Sequence, residues 1–189
     1  MTQRKRKWLS SSLVVLLTGF LTFAGIGPGA PDAAHASPGY YPSGPQENVA
    51  KSTVTSAGWS LCYSGTFAVF GTTMEPSVLS NCTQEFILVA AAPINSTTFS
   101  LLATAPRTEV FRTTTFNNLN NSNGTGWYYK TGDAMGFARQ GDTVQLSNCD
   151  TASSGSNSQR MCFHLQSVGG YRIGAIAGLN SSTSYERFF

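Results

Sequence analysis

The sequence predicts an all-β protein, one disulfide-stapled sandwich or barrel domain built from two similar β-rich halves. Three observations carry this. Short apolar segments, alternating or rich in β-branched and aromatic residues, recur between clusters of Gly, Pro, Asn and Ser, and no amphipathic helix of useful length stands beyond residue 36. All four cysteines, Cys62, Cys82, Cys149 and Cys162, lie in that region, with no pair at the C-x₂₋₄-C spacing of a zinc site. The phrase Leu-Ser-Asn-Cys occurs at 79–82 and again at 146–149, which marks a register between halves.

Residues 1–36 read as a secretory signal peptide. Arg4-Lys5-Arg6-Lys7 is a basic start, Leu13–Ile26 an uncharged apolar run, and Gly27-Pro28-Gly29 a helix break. Ala34-His35-Ala36 has the small-residue pattern of a cleavage site, with Ala30 as a second cleavage point. The apolar run is short for a stable membrane span, an uncleaved anchor being the rival reading. A secreted, extracellular location is expected, and it suits disulfide formation.

The formal charge of +3 belongs to this leader. Arg4, Lys5, Arg6 and Lys7 hold four of the twelve basic residues and Asp32 one of the nine acidic ones, so eight of each remain. They form no cationic stripe, which excludes electrostatic capture of nucleic acid or of an anionic membrane. No cofactor is expected.

Residues 37–56 hold Pro38, Gly39, Pro42, Gly44 and Pro45 and no apolar period; they read as a linker or a tail ordered on contact. The domain then spans 57–189. Trp59, Leu61 and Tyr63 alternate with Ser60 and Cys62, predicting a strand. Thr66–Thr73 is a second candidate by its β-branched and aromatic content. Phe86-Ile87-Leu88-Val89 is a continuous apolar run, the pattern of a strand covered on both faces, extendable through Ala90-Ala91-Ala92 and stopped by Pro93. Phe99, Leu101, Ala103 and Ala105 alternate with Ser100, Leu102 and Thr104 up to Pro106. Glu109–Arg112 reads as a short strand closing half one, 57–112.

Residues 113–125 are a Thr- and Asn-rich loop in which Asn123-Gly124 marks a turn. Half two, 126–189, opens at Gly126-Trp127-Tyr128-Tyr129. Strands are expected at Met135–Ala138, Thr143–Leu146, Met161–Leu165 and Tyr171–Ala177, with turns at Gln140-Gly141-Asp142 and Gly169-Gly170. Tyr185–Phe189 closes the chain.

The halves align feature by feature. Gly58-Trp59 matches Gly126-Trp127, the two Leu-Ser-Asn-Cys copies match, and Phe86–Ala90 matches Met161–Leu165. Phe99–Ala105 matches Tyr171–Ala177, and Glu109-Val110-Phe111 matches Glu186-Arg187-Phe188. This order implies an internal duplication. Of the three cysteine connectivities, one bridge per half gives Cys62–Cys82 and Cys149–Cys162; a link between halves, Cys82–Cys149 with Cys62–Cys162, stays open.

Several strings are distinctive together: Gly58-Trp59-x-x-Cys62-Tyr63, Asn123-Gly124-x-Gly126-Trp127-Tyr128, Gly136-Phe137-Ala138-x-x-Gly141-Asp142, Cys149-Asp150, Gly169-Gly170-Tyr171-Arg172 and Leu179-Asn180-x-Ser182-x-x-Tyr185-Glu186-Arg187. In these, residues 57–189 resemble a kind of disulfide-containing β domain found in secreted bacterial proteins. The resemblance implies an extracellular β domain and carries over no activity and no site residue.

His164, the one imidazole beyond residue 36, is the candidate for acid–base work, with Asp150 or Glu186 to orient it. No Gly-x-Ser-x-Gly elbow accompanies it, and its place beside Cys162 in an apolar segment favours a structural imidazole. His35 joins His164 as a copper site only if processing exposes its amine, so no metal is expected. The remaining acids are scattered; Glu109 with Arg107 or Arg112, and Glu186 with Arg187, read as local ion pairs.

Trp127, Tyr128 and Tyr129, with Asn123 nearby, are the candidate ligand-binding residues, because exposed aromatic rings stack on sugars and Asn bonds hydroxyls. Trp59 is the matching ring of half one. Core packing is the rival for both tryptophans, but alternation turns Tyr128 opposite to its neighbours, so one ring should reach the surface if only one face is buried. Asn81, Asn95, Asn123 and Asn180 have glycosylation-acceptor spacing. The expected role is binding or surface structure, with a glycan or cell-surface partner. A small hydrolase using His164 and a protease inhibitor are the alternatives.

Overall fold

Residues 86–93 carry no polar side chain, so a strand made of them is stable only with both faces covered. That is how β3 (Phe86–Pro93) lies: it is the middle strand of a five-stranded antiparallel sheet, beside β4 (Thr98–Pro106). The other members are β1 (Gln46–Ala50), β2 (Ser64–Thr66) and β10 (Tyr185–Phe188), in the order β1-β4-β3-β10-β2. The computed structural model describes residues 38–115, 118–144, 157–166 and 168–189. The expected signal peptide, its cleavage points and the second Leu-Ser-Asn-Cys copy lie outside the described residues.

The second sheet is a meander of β5 (Asn120–Ser122), β6 (Thr125–Lys130), β7 (Ala134–Arg139), β8 (Met161–His164) and β9 (Gly170–Ile173), each paired to the next. Its first turn is the expected one: Asn123 and Gly124 have φ of 48° and 68° between the facing residues Ser122 and Thr125, the backbone of a two-residue hairpin. The two sheets share a core. Ile87, Val89, Leu101 and Ala103 of the first pack in one cluster with Trp127, Phe137, Met161 and Phe163 of the second. The arrangement is a sandwich, which decides against the barrel. Each burial of such a side chain is worth about 1.5–3 kcal/mol.

Both outer faces are also covered. Leu88, Ala90, Ala92 and Leu102 pack under Val54 of α1 (Lys51–Ser56), and Tyr128, Ala138 and Cys162 pack with Val144. The segment expected as a linker therefore contains a strand and a helix. β1 holds its place by pairing with β4, Val49 facing Phe99. Its few apolar residues gave no period because the neighbouring strand, not the segment's own pattern, orders it.

Helical structure is the main correction to the expected elements. Thr66–Thr73 forms only the end of β2, and α2 (Gly71–Asn81) follows. Met74 and Val78, four residues apart, turn into the inter-sheet core. The helix stands on tertiary contacts. Its first donors, Gly71 N and Thr72 N, bond to Val168 O and Gln166 O. Its last carbonyls, Leu79 O and Cys82 O, accept from Arg107. The first Leu-Ser-Asn-Cys copy is thus the end of a helix. Glu109–Arg112 is likewise no strand, since α3 (Arg107–Val110) turns there after Pro106.

Residues 59–63 form no sheet strand; Cys62 N and Tyr63 N donate to Phe189 O instead. β9 stops at Ile173, because Gly174 (φ 57°) reverses the chain and Ile173 N bonds Ile176 O. Thr143 and Val144 are not in a strand, and Gln145 and Leu146 lie outside the described residues. Both aligned pairs of segments are antiparallel neighbours, β3 beside β4 and β8 beside β9, though β9 ends before the aligned Ala175 and Ala177. The equivalence of halves fails where Trp59 is irregular and Trp127 is in β6, and where Glu109-Val110-Phe111 starts in a helix while Glu186-Arg187-Phe188 is in β10.

Cys62 and Cys82 form a disulfide, which removes the link between halves. Cys162 is also disulfide-bonded, while Cys149 lies outside the described residues. Arg187 does not pair with Glu186, because neighbours on a strand point to opposite faces. Its guanidinium is fully buried, donates to Val69 O, and lies 5.8 Å and 5.5 Å from the ring centroids of Phe67 and Phe163. Burial lowers its pKa and Tyr63 opposes that shift. The two rings and the carbonyl offset part of the desolvation of the cation.

Replacing both Cys62 and Cys82 by Ala is expected to lower unfolding stability by about 3 kcal/mol, the chain-entropy value for a loop closed over some twenty residues; a guanidinium chloride titration reads it. Arg187→Lys, which keeps the charge but loses the planar fork, is expected to cost about 1–3 kcal/mol by the same measurement.

Candidate functional site

The aromatic triplet of β6 is core. Trp127, Tyr128 and Tyr129 are 1%, 1% and 4% exposed, so none offers a ring face to a ligand. Trp127 and Tyr129 face the inter-sheet cluster, and Tyr128 faces the outer one. The expectation of one exposed ring fails because this sheet is covered on both sides. Each polar tip is satisfied internally: Trp127 Nε1 donates to Ser122 O at 3.3 Å, Tyr128 OH to Met161 O at 3.2 Å and Tyr129 OH to Glu75 Oε1 at 2.8 Å. Glu75 also accepts from Gly132 N at 3.0 Å, which ties α2 to the β6–β7 turn.

Asn123 is a structural turn residue rather than a ligand contact. Its Nδ2 donates to Pro42 O at 2.8 Å and to Thr104 O and Oγ1 at 3.0 Å each. Gly44 N donates to Asn123 O at 2.7 Å. The turn therefore docks the second sheet's first hairpin onto β4 and the 42–44 segment.

His164 is half-buried at the end of β8. Its ring meets Tyr171 edge-on at 5.9 Å, and its backbone N donates to Gly169 O. Burial holds its imidazole below the ordinary value, while the Asp133 carboxylate pulls the other way. Asp133 is the acid near it; Asp150, the expected partner, lies outside the described residues. Asp133 already accepts from Lys130 Nζ at 2.8 Å. Of the expected ion pairs, Glu109–Arg112 forms, and Arg107 caps α2 instead. Among the described residues, no group of three or more His, Cys, Asp or Glu could hold a metal ion.

An open concave surface lies elsewhere, beside the start of β3, where it reaches Phe86, Ile87 and Leu88. A groove of about 730 Å³ is lined by Trp59 and Leu61 on the segment after α1, by Asn81 at the end of α2 and by Gln84 and Glu85 on the segment that follows it. The Cys62–Cys82 bridge joins these two segments, so the disulfide sets the distance between the walls. Trp59 Nε1 donates to Tyr40 O at 2.8 Å. With that N–H committed, the indole offers apolar ring surface to the groove. Leu61 is 65% exposed, the most of any large apolar residue described.

Sequence reasoning had named Trp59 as a ring of interest but not its neighbours. The alternation of Leu61 with Trp59 and Tyr63 predicts a strand and does not single it out as a surface contact. Gln84 and Glu85 carry no pattern at all. The signal that points to them is the bridge: residues flanking both ends of one disulfide must be close in space.

No protein-family model, no curated protein and no solved structure matches the chain.

His164 gives a pH test. Because its folded pKa is below the unfolded one, the unfolded state takes up the proton first as pH falls. Stability is therefore expected to decline from about pH 6.5 down to the folded pKa, and His164→Gln to flatten that slope; thermal melts across this range check it.

Proposed function

We propose that this protein is a secreted, non-enzymatic binding domain that holds a carbohydrate in the Trp59 groove. The observation that carries the reading is the composition of that groove. An indole with its N–H tied back supplies a flat apolar surface, and Asn81, Gln84 and Glu85 supply donors and acceptors for hydroxyls along the facing wall. Sugar rings have that same mixture of apolar faces and hydroxyl edges. The rigid framework favours binding without rearrangement, since one wall is bridged to the other by Cys62–Cys82.

An extracellular setting is supported by two features. A disulfide fits an oxidising compartment, and residues 1–36 have the pattern of a secretory leader. No helix among the described residues is long and apolar enough to cross a membrane.

The two tryptophans separate binding from stability. Trp59→Ala is expected to abolish capture on a glycan array and to cost less stability than Trp127→Ala, since the ring is only partly buried. Trp127→Ala is expected to destabilise by about 3–5 kcal/mol and to leave binding unchanged in whatever protein remains folded. An array with no carbohydrate bound by the wild type, or one unchanged by Trp59→Ala, defeats the reading.

A further inference from the structure

A second pocket adjoins the groove. Trp59, Leu61, Leu88 and Phe189 also wall this second cavity of about 180 Å³, together with Val54 and Phe188. This cavity is lined almost wholly by carbon. Lys51, the first residue of α1, stands at it with Nζ 4.4 Å from the Phe188 ring centroid and 5.5 Å from that of Phe99. The ion pairs found among the described residues are made by Arg112, Lys130 and Arg160, not by Lys51. The ammonium thus lies against two ring faces, on a residue that is itself half-buried.

We infer that the cavity takes the apolar end of a small amphiphilic anion, a medium-chain aliphatic or aryl carboxylate, whose carboxylate pairs with Lys51. Charge selects the anion: a cation at a carbon-lined opening is poorly solvated, and a carboxylate placed there forms a charge-assisted hydrogen bond in reduced dielectric. Size limits the tail: a space of about 180 Å³ admits one aromatic ring or the end of a medium-length alkyl chain. Position makes the two cavities one site, because Trp59 and Leu61 wall both, so the same ligand can extend polar atoms toward Gln84 and Glu85. The inference rests on this face being the binding face, and not on the ligand's being a carbohydrate.

Calorimetric titration of the protein with octanoate, octan-1-ol and octyltrimethylammonium tests it. Octanoate is expected to bind saturably and at least about tenfold more tightly than octyltrimethylammonium. Lys51→Gln is expected to weaken octanoate by about tenfold and leave octanol unchanged. Thr55→Trp, an exposed rim position that a larger ring would close, is expected to abolish binding of both with an unaltered melting curve. Equal affinity for the two charged amphiphiles, no heat of binding at millimolar octanoate, or an octanoate affinity indifferent to Lys51→Gln overturns the inference. Carbohydrate capture without octanoate binding overturns it alone. Octanoate binding without carbohydrate capture leaves it standing and removes the carbohydrate reading.

Discussion

The last strand of the chain is seated inside the first sheet, and the rest of the structure depends on that seat. β10 lies between β3 and β2, with Phe188 facing Ala90 on one side and Ser64 on the other. Without it β2 has no neighbour and β3 loses one side of its ladder. Arg187, at its centre, carries a charge into the core and is held by Val69 O and two aromatic rings. A buried cation of this kind costs desolvation that a hydrocarbon would not. What it adds is register: a shift of one residue would turn the guanidinium out and Glu186 in.

The same strand also builds the concave face. Phe189 continues from β10 and exchanges backbone hydrogen bonds with Cys62 and Tyr63. That pairing anchors the 57–63 segment, and the Cys62–Cys82 bridge then ties it to the end of α2. Trp59 and Leu61 are carried at the rim, while Phe188 and Phe189 lie beneath. Val54 of α1 and Tyr40 pack on the outer face of the first sheet, and the groove adjoins that cover at Trp59 and Leu88. The proposed function therefore rests on a gap in packing rather than on a motif.

The closure is long-range. Phe188 pairs with Ala90 across most of the domain, so the first sheet is complete only when the end of the chain arrives. The covering on both sides of the second sheet also explains why Trp127, Tyr128 and Tyr129 all vanish from the surface. Alternation along a strand sends side chains to two faces, but it does not say which face water reaches.

How much was legible differs by element. The all-β class, the β3–β4 hairpin, β6 to β8 and the Asn123-Gly124 turn follow from local chemistry: a period of two, β-branched and aromatic content, and a dipeptide that tolerates positive φ. The Cys62–Cys82 bridge was one of the pairings that count and order allowed. By itself, then, the sequence determined the class, the hairpins and the staple points. Tertiary structure alone decided the rest. α2 depends on Gln166, Val168 and Arg107 for its ends, β1 on β4, and the 59–63 segment on Phe189. The groove depends on all of these, because a surface made where several distant segments stop short of one another has no signature in any one of them.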